Sequence, residues 1–314
     1  MKNNYHLIFL FVILLLNFSC NKPDITPAYL ILSDEDFQDC IDVSDYNNVH
    51  DHNYDTKELD AIKQQNFTDV LVSLNGKELG YWQLPCTIPL LPDFSGKNNF
   101  RIIPCVRTQN TTETTLQYHF ITPLDTIFSF MKKEEKYQIS GFKLKYVPSV
   151  DFQVLETFTQ STDFSPYAEN EFPAAIEIFY DKDLQKDIGK ISLSDSASAV
   201  FFDVVTSYFL LQGQGKRYFW EISYKIDNGQ MNTHLNYQNT ITGITYQDMM
   251  VFPSTRGVWK KAYIDITEKI RQASNIAPQV STRLRISGFR DKEHLDAYFD
   301  FENIKLITMD APYY

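Results

Sequence analysis

The sequence predicts an all-β protein of two β-sandwich domains that follow a lipoprotein signal peptide. Aromatic residues make up 15% of the 314-residue chain, and aromatic side chains fit the pleated surface of a β-sheet. Short runs of alternating apolar and polar residues recur along the chain and are bounded by Pro, Asn, Gly or Asp, as in sandwich folds. Glycine occurs 11 times, which counts against glycine-rich phosphate-binding loops.

We interpret residues 1–19 as the lipoprotein signal peptide. An apolar run, Leu7 to Leu16, has the length of a signal-peptide core and is shorter than the about 20 residues that span a membrane. A small serine then precedes Cys20, which resembles a bacterial lipobox, although Asn17 departs from the usual aliphatic residue. The resemblance implies that Cys20 is acylated and that residues 20–25 form a tether. An ordinary secretory signal with an incidental cysteine is the alternative.

We interpret residues 26–148 as the first β domain. The stretch "FTDVLVSLNGKELGYWQL" alternates apolar and polar residues around Asn75 and Gly76, a pair that favours a two-residue hairpin turn. The acidic, Asn-rich residues 33–63 predict a long loop with one helical turn near "TKELDAIKQQ".

We interpret residues 149–314 as the second β domain. Runs such as "KRYFWEISYKI" and "AYFDFENIKLIT" alternate with the period of a strand, which suits two facing antiparallel sheets. Only "ITEKIRQAS" predicts a helix in this half.

Three cysteines remain besides Cys20, namely Cys40, Cys86 and Cys105. An odd number outside the cytoplasm implies either one disulfide and one free thiol or three buried thiols. Cys86 and Cys105 flank the turn-like "PDFSGKNN", so their sulfurs would meet if the two flanking runs pair. None of the three has the spacing of a zinc site.

Several stretches resemble an uncharacterised lipoprotein family of Bacteroidota. "TDVLVSLNGKELGYWQLPCTIPLLPDFSGKNNFRIIPCVRTQN" is similar to part of its first domain, and "VLETF", "GVWKKAYIDIT" and "AYFDFENIKL" are similar to strands of its second. The resemblance implies an Ig-like domain followed by a galactose-binding-like jelly roll, similar to a carbohydrate-binding module, on a lipid anchor. Cys86 and Cys105 occupy places usually held by small residues, which favours a disulfide between them. The family has no settled activity.

The resemblance also suggests a structural Ca²⁺, since such jelly rolls often bind one between the opening and closing strands. Glu156, Asp300 and Glu302 lie in the matching segments. Calcium takes six to eight oxygens, and three carboxylates do not make a full set, so we predict no cofactor and keep Ca²⁺ as the alternative. Asp300 and Glu302 would otherwise face solvent on an alternating strand.

Candidate binding residues are the tryptophans Trp82, Trp220 and Trp259, because sugars stack on exposed aromatic rings. Adjacent strand residues point to opposite faces, so burial in the core is the alternative for each. No GxSxG, HExxH, Walker or Rossmann pattern occurs, and we therefore predict that the protein is not an enzyme. A net charge of −11 without a basic stripe argues against nucleic-acid binding.

Together these features predict a non-enzymatic outer-membrane lipoprotein of the cell envelope, facing the periplasm or the cell surface. Its partners would be the membrane, through the lipid anchor, and a glycan or another envelope protein. Two alternatives remain open. One is a glycan-active hydrolase whose carboxylate pair the sequence does not identify, and the other is a structural subunit of a gliding or type IX secretion complex.

Overall fold

A computed structural model describes most of the chain, and within the described ranges strands predominate, which confirms the all-β prediction. The described residues are 26–108, 114–167, 174–194, 200–239, 243–274 and 279–311. The predicted signal peptide, the tether and Cys20 lie outside these ranges. Among the described residues, no helix is both long and apolar enough to cross a membrane.

The N-terminal half is a sandwich of a three-stranded and a five-stranded sheet. The sheets have the orders β4-β1-β8 and β3-β2-β5-β6, and β7 also pairs with β5. Leu30 and Ile88 from the first sheet share one buried core with Val70 and Ile102 from the second. The elements of this half are β1 (Ala28–Leu32), α1 (Asp34–Gln38), α2 (Tyr46–His50), α3 (Thr56–Lys63), β2 (Asp69–Leu74), β3 (Lys77–Gln83), β4 (Cys86–Leu90), β5 (Lys97–Arg107), β6 (Thr115–Gln117), β7 (Leu124–Ser129) and β8 (Lys136–Gln138).

The predicted hairpin is confirmed, but the predicted long loop is wrong in part. Strands β2 and β3 pair antiparallel, and Asn75 and Gly76 have φ angles of 52° and 78°, as the two-residue turn requires. Residues 33–63 contain three short helices joined by loops, and the helical turn predicted near "TKELDAIKQQ" is confirmed. The third, α3, begins with a capping box in which Asp55 and Glu58 each accept a hydrogen bond from the other's backbone N–H.

The C-terminal half is a sandwich of two six-stranded sheets. The front sheet has the order β11-β12-β20-β15-β18, with β9 also pairing β20, and the back sheet has the order β10-β13-β19-β16-β17, with β14 also pairing β19. Helix α4 confirms the predicted helix. The elements are β9 (Asp151–Glu156), β10 (Ser165–Pro166), β11 (Glu177–Asp181), β12 (Lys186–Ser194), β13 (Phe201–Val205), β14 (Phe209–Gln212), β15 (Lys216–Asp227), β16 (Gly229–Asn239), β17 (Gly243–Phe252), β18 (Lys260–Asp265), α4 (Thr267–Ala273), β19 (Gln279–Arg290) and β20 (Asp296–Asp310).

Aromatic side chains fill the space between the front and back sheets. Phe202 of the back sheet meets Phe299 of the front sheet edge to face, with ring centroids 4.7 Å apart. Trp220 on β15 is fully buried in the same core. The inner face of the front sheet is therefore committed to packing, and only its outer face can meet the N-terminal half or a ligand.

Part of that outer face is buried against the N-terminal half. Phe219, Tyr263 and Ile307 of the front sheet belong to the hydrophobic core of the N-terminal sandwich. The two halves therefore share apolar contacts, and the boundary that the sequence predicts between residues 148 and 149 stays a prediction.

A buried charge cluster lies in the same contact. The Glu221 carboxylate on β15 is 3.0 Å from the Lys305 Nζ and 3.2 Å from the Lys261 Nζ, and all three side chains are almost or fully inaccessible. Tyr118 of the N-terminal half donates its hydroxyl to Glu221, and Lys305 donates to the backbone oxygens of Ala61 and Gln64, each at 3.1 Å. The charged groups of one half thus complete their hydrogen bonds on the other.

The two lysines keep the buried Glu221 ionised. Burial by itself would raise the pKa of Glu221, but Lys305 and Lys261 lower it from its ordinary value of 4.5 to about 2. Burial, together with the charge of Lys305, lowers the pKa of Lys261 from 10.5 to about 7. The lowered pKa of Lys261 brings two cations and one anion closer to charge balance.

The predicted disulfide is wrong, since Cys40, Cys86 and Cys105 are all free thiols. Cys86 lies on β4 opposite Leu32 of β1, whereas Cys105 lies on β5 opposite Asp69 of β2. The two runs that flank the turn belong to different sheets and do not pair with each other, so their cysteines are not brought together.

We expect Glu221→Gln to lower the free energy of unfolding by about 3–5 kcal/mol, because it leaves two buried lysines without their counter-charge. The folded protein holds the pKa of Glu221 at about 2 against an ordinary 4.5. This contribution to stability is therefore present above pH 4.5 and is lost as the pH falls toward 2. Urea unfolding across this pH window, compared between wild type and Glu221→Gln, measures both effects. An unchanged stability in the variant would contradict the role of Glu221.

Alkylation of the unreduced protein tests the free thiols. We expect iodoacetamide to modify Cys40, Cys86 and Cys105 in denaturant without added reductant. In the native protein all three should react slowly, since burial raises the pKa of each thiol, that of Cys86 to about 11. Half-buried Cys86 should react first. A tryptic fragment in which Cys86 is linked to Cys105 would contradict this expectation and support the predicted disulfide.

Candidate functional site

A cleft runs across the outer face of the front sheet, beside residues 57–66 of the N-terminal half. We call those residues the wall. The cleft has two lobes that share Gln64 of the wall and Glu302 of β20. The lobe of about 290 Å³ reaches Trp259, and the lobe of about 260 Å³ reaches Tyr180. An aromatic side chain thus stands at each end.

A β-bulge in strand β20 forms the floor between the lobes. Ser223 of β15 pairs with Asn303 while Tyr224 pairs with Phe301, so that Glu302 is the extra residue. A bulge places two consecutive side chains on the same face, and Glu302 and Asn303 both line the cleft. The Asn303 amide donates to the Gln64 side chain of the wall at 2.6 Å.

From Trp259 in the cleft, a row of aromatic and charged side chains continues over the uncovered part of the outer face, and we call this row the platform. Its members are Phe179, Lys190, Lys225, Trp259, Tyr298 and Asp300. At one end the Lys225 Nζ lies 5.0 Å from the centre of the Trp259 ring and 2.8 Å from the Asp300 carboxylate. Such a cation–π contact and ion pair hold the half-buried Trp259 ring in a fixed orientation.

Toward the other end of the platform, a second lysine contacts two aromatic rings. The Lys190 Nζ lies 5.0 Å from the ring centre of Phe179 and 4.8 Å from that of Tyr298. Phe179 is 51% exposed and Tyr298 is 37% exposed. Trp259 directly precedes β18, and Phe179 lies on β11, four strand positions away in the sheet, which corresponds to about 19 Å at the usual strand spacing.

The platform also holds an acceptor without a donor. Asp300 is 4% exposed, and its Oδ1 has no hydrogen-bond partner among the described residues. An unpaired buried acceptor costs about 1–3 kcal/mol and is a place where a ligand hydroxyl gains a hydrogen bond. The site therefore offers aromatic faces for stacking and polar groups that can fix a hydroxylated ligand.

Of the three predicted tryptophans, only Trp259 lines the cleft. Trp220 as a binding residue is wrong, because its side chain is fully buried between the two sheets. Trp82 is half-buried, packs against the N-terminal core away from the cleft and has a buried Nε1, and as a binding residue it stays a prediction. The adjacent residue Tyr81 is 49% exposed, so strand alternation turned the tyrosine outward instead.

The predicted calcium ligands are not brought together. Glu156 accepts hydrogen bonds from the backbone N–H groups of Phe158 and Asp163, at 2.7 and 2.6 Å. Asp300 pairs with Lys225, and Glu302 pairs with Lys186. In the part of the chain that the structure describes, no group of three His, Cys, Asp or Glu side chains could hold a metal ion. The positions of these three carboxylates therefore give the Ca²⁺ alternative no support, and it stays a prediction.

Sequence reasoning missed Phe179, Lys190 and Tyr298. A signal for Tyr298 was present, because "AYFDFE" alternates buried Ala297, Phe299 and Phe301 with three polar-tipped or charged residues. No such alternation pointed to Phe179 on β11, because every residue from Ile178 to Tyr180 is exposed at the edge of the sheet.

Comparison with known proteins finds carbohydrate-binding modules among solved structures. One is the structure of the CBM22-1 and GH10 modules of a Clostridium thermocellum endo-1,4-beta-D-xylanase with xylohexaose (14% identity, 51% of this chain and 29% of that chain, TM-score 0.37). A second is the CBM22-1 xylan-binding domain of Paenibacillus barcinonensis Xyn10C (10%, 52% and 97%, TM-score 0.34). A third is a carbohydrate-binding module of the beta-sandwich superfamily (10%, 76% and 84%, TM-score 0.33).

At TM-scores of 0.33 to 0.37, these similarities do not assign a function to the cleft or the platform. The matched region is less than a third of the xylanase chain. No family model matches this chain, and neither does any curated protein.

Proposed function

We propose that the protein is a non-enzymatic glycan-binding module whose ligand lies along the platform, with one edge in the cleft. The proposal rests on the position of Trp259, which lines the cleft. Lys225 contacts the Trp259 ring and pairs with Asp300, whose Oδ1 has no hydrogen-bond partner among the described residues. A sugar ring presents C–H groups to an aromatic face and hydroxyls to its sides, and this end of the platform offers a partner to each.

The spacing of the aromatic groups favours an extended glycan over a single sugar. Trp259 stands at one end of the row and Phe179 at the other, about 19 Å away by strand spacing, and Tyr298 on β20 lies between them. The other groups between the two ends are charged, namely Lys190, Lys225 and Asp300. A flat apolar patch, which would favour a protein partner, is not what this part of the outer face presents.

We further propose that the protein works in the cell envelope on a lipid anchor at Cys20, facing the periplasm or the cell surface. Each buried methylene of an acyl chain contributes about 0.8 kcal/mol, so two or more chains hold a protein firmly. The lipobox-like residues support this proposal. An Ig-like N-terminal domain stays part of the same proposal.

We expect Trp259→Ala to weaken glycan binding at least tenfold, because the variant loses the stacking surface and frees Lys225. A glycan array identifies the ligand, and isothermal titration then compares wild type, Trp259→Ala and Tyr81→Ala. The last variant is the matched control, since Tyr81 is an exposed aromatic residue outside the platform.

If wild type and Trp259→Ala bound the array-selected glycan with equal affinity, the platform would not be the binding site. The same conclusion would follow if Tyr81→Ala lost as much affinity as Trp259→Ala. Release of reducing sugar by wild type, abolished by Glu302→Gln, would instead favour the glycan-active hydrolase. The absence of any glycan ligand in the presence of a stable complex with an envelope protein would favour the structural alternative.

We expect Cys20→Ala to move the protein from the membrane fraction to the soluble fraction, because the acyl chains are attached at that thiol. Cell fractionation followed by immunoblotting measures the shift. Cys86→Ala is the control, since it removes a cysteine that the anchor does not use. Unchanged membrane partitioning of Cys20→Ala would contradict the anchor and would leave the platform untouched.

A further inference from the structure

The outer face of the back sheet carries a second group of aromatic and charged side chains, on the opposite side of the sandwich from the platform. Arg283 of β19 lies between two tyrosines, with its guanidinium carbon 4.9 Å from the ring centre of Tyr167 and 4.6 Å from that of Tyr208. Tyr208 is 36% exposed and Tyr167 is 5% exposed. Two flanking rings fix the plane of the guanidinium.

Arg283 differs from its neighbour Arg285 in having no anionic partner. Arg285 lies 4.6 Å from the Tyr167 ring centre and forms a two-pronged salt bridge with buried Asp203. Among the described residues, none forms an ion pair or a hydrogen bond with the Arg283 side chain, and its Nε is buried without an acceptor. In a chain of net charge −11, a cation that two rings hold in place without a counter-charge can attract an anion.

A buried amide stands directly beside this cation. Asn236 of β16 pairs with Arg283 across the two strands. The preceding residue, Leu235, lies in the sandwich core, so Asn236 points to the outer face with Arg283. Asn236 is fully buried, and neither its Oδ1 nor its Nδ2 has a hydrogen-bond partner among the described residues.

A buried amide without hydrogen-bond partners destabilises the folded protein, and such groups are rare. A ligand that accepts from Asn236 Nδ2 and from the Arg283 guanidinium would satisfy both. Because the amide is covered in the unliganded protein, a neighbouring side chain must turn aside for contact. The partly exposed Arg283 therefore makes the first contact.

We propose that Arg283 and Asn236 form a second binding site, which takes the carboxylate of an acidic sugar. The guanidinium fork matches the two oxygens of a carboxylate, and the exposed Tyr208 ring beside it offers a face for the sugar. His234 completes the rim, with its Nδ1 2.7 Å from Asp248 and its Nε2 2.8 Å from Ser287. This site lies on a different sheet from the platform and does not depend on it.

A matched pair of ligands tests the site, namely an oligosaccharide of galacturonic acid and its methyl-esterified form of the same length. The two differ in the charge of the carboxyl groups. We expect wild type to bind the acid at least tenfold more tightly than the ester in isothermal titration at low salt. Arg283→Gln should abolish this preference, whereas Arg283→Lys should keep a smaller one because it retains the charge and loses the fork.

Two control variants distinguish this site from a general effect of positive charge and from the platform. Arg271→Gln removes an exposed arginine that pairs with Glu268 on α4 and should keep the preference for the acid. Trp259→Ala should also keep it, so a failure of the platform and a failure of this site give different results. Circular dichroism and thermal melting show whether each variant is folded.

Equal binding of acid and ester by wild type would overturn the proposal, as would a preference that persists in folded Arg283→Gln. Sodium sulfate distinguishes the source of the anion. Sulfate that displaces the uronic oligosaccharide supports a shared oxyanion site, whereas sulfate binding in the absence of any uronate binding overturns the assignment to a sugar.

Discussion

One buried carboxylate, Glu221, holds the relative position of the two halves. It lies between Lys261 and Lys305 of its own sheet and receives the hydroxyl of Tyr118 from the other half. Removing three charges from water is costly, and the cost is offset only where every donor finds its acceptor. Lys305 finds two of them on residues 61–64. Apolar contacts alone would tolerate sliding, but this set of directed hydrogen bonds is satisfied in one placement.

The cleft is a consequence of that placement. Residues 57–66 lie over the front sheet because the lysine of β20 donates to them, and their outer edge becomes one side of the cleft. The outer face of the sheet continues beyond that edge without cover and presents Trp259 and Phe179 at its two ends. The cleft is thus lined by both halves, whereas the platform is formed by the C-terminal half alone.

Strand pairing and burial could be predicted from the sequence where alternation was regular. The Asn75-Gly76 hairpin is the clearest example, because the turn residues and the flanking alternation agree. The bulge at Glu302 could not be predicted, since it shifts the phase of alternation within one strand from Phe301 to Ile304.

Non-local pairing was the other limit of the sequence. Cys86 and Cys105 flank a turn, yet their strands join different sheets, and no local pattern distinguishes this from a hairpin. For the same reason Trp220, fully buried, and Trp259, beside the cleft, looked equivalent in sequence. The unpaired state of Arg283 also depends on which strand brings which acidic residue near it.

Strand β20 carries both the buried junction with the N-terminal half and part of the platform. Lys305 and Asp300 are five residues apart on it, or about 17 Å of extended chain. The side chains that position the wall are therefore separate from those that form the proposed glycan-binding surface. A substitution in the buried contact between the two halves can therefore change the shape of the cleft, and with it the proposed ligand specificity, without changing any residue of the platform.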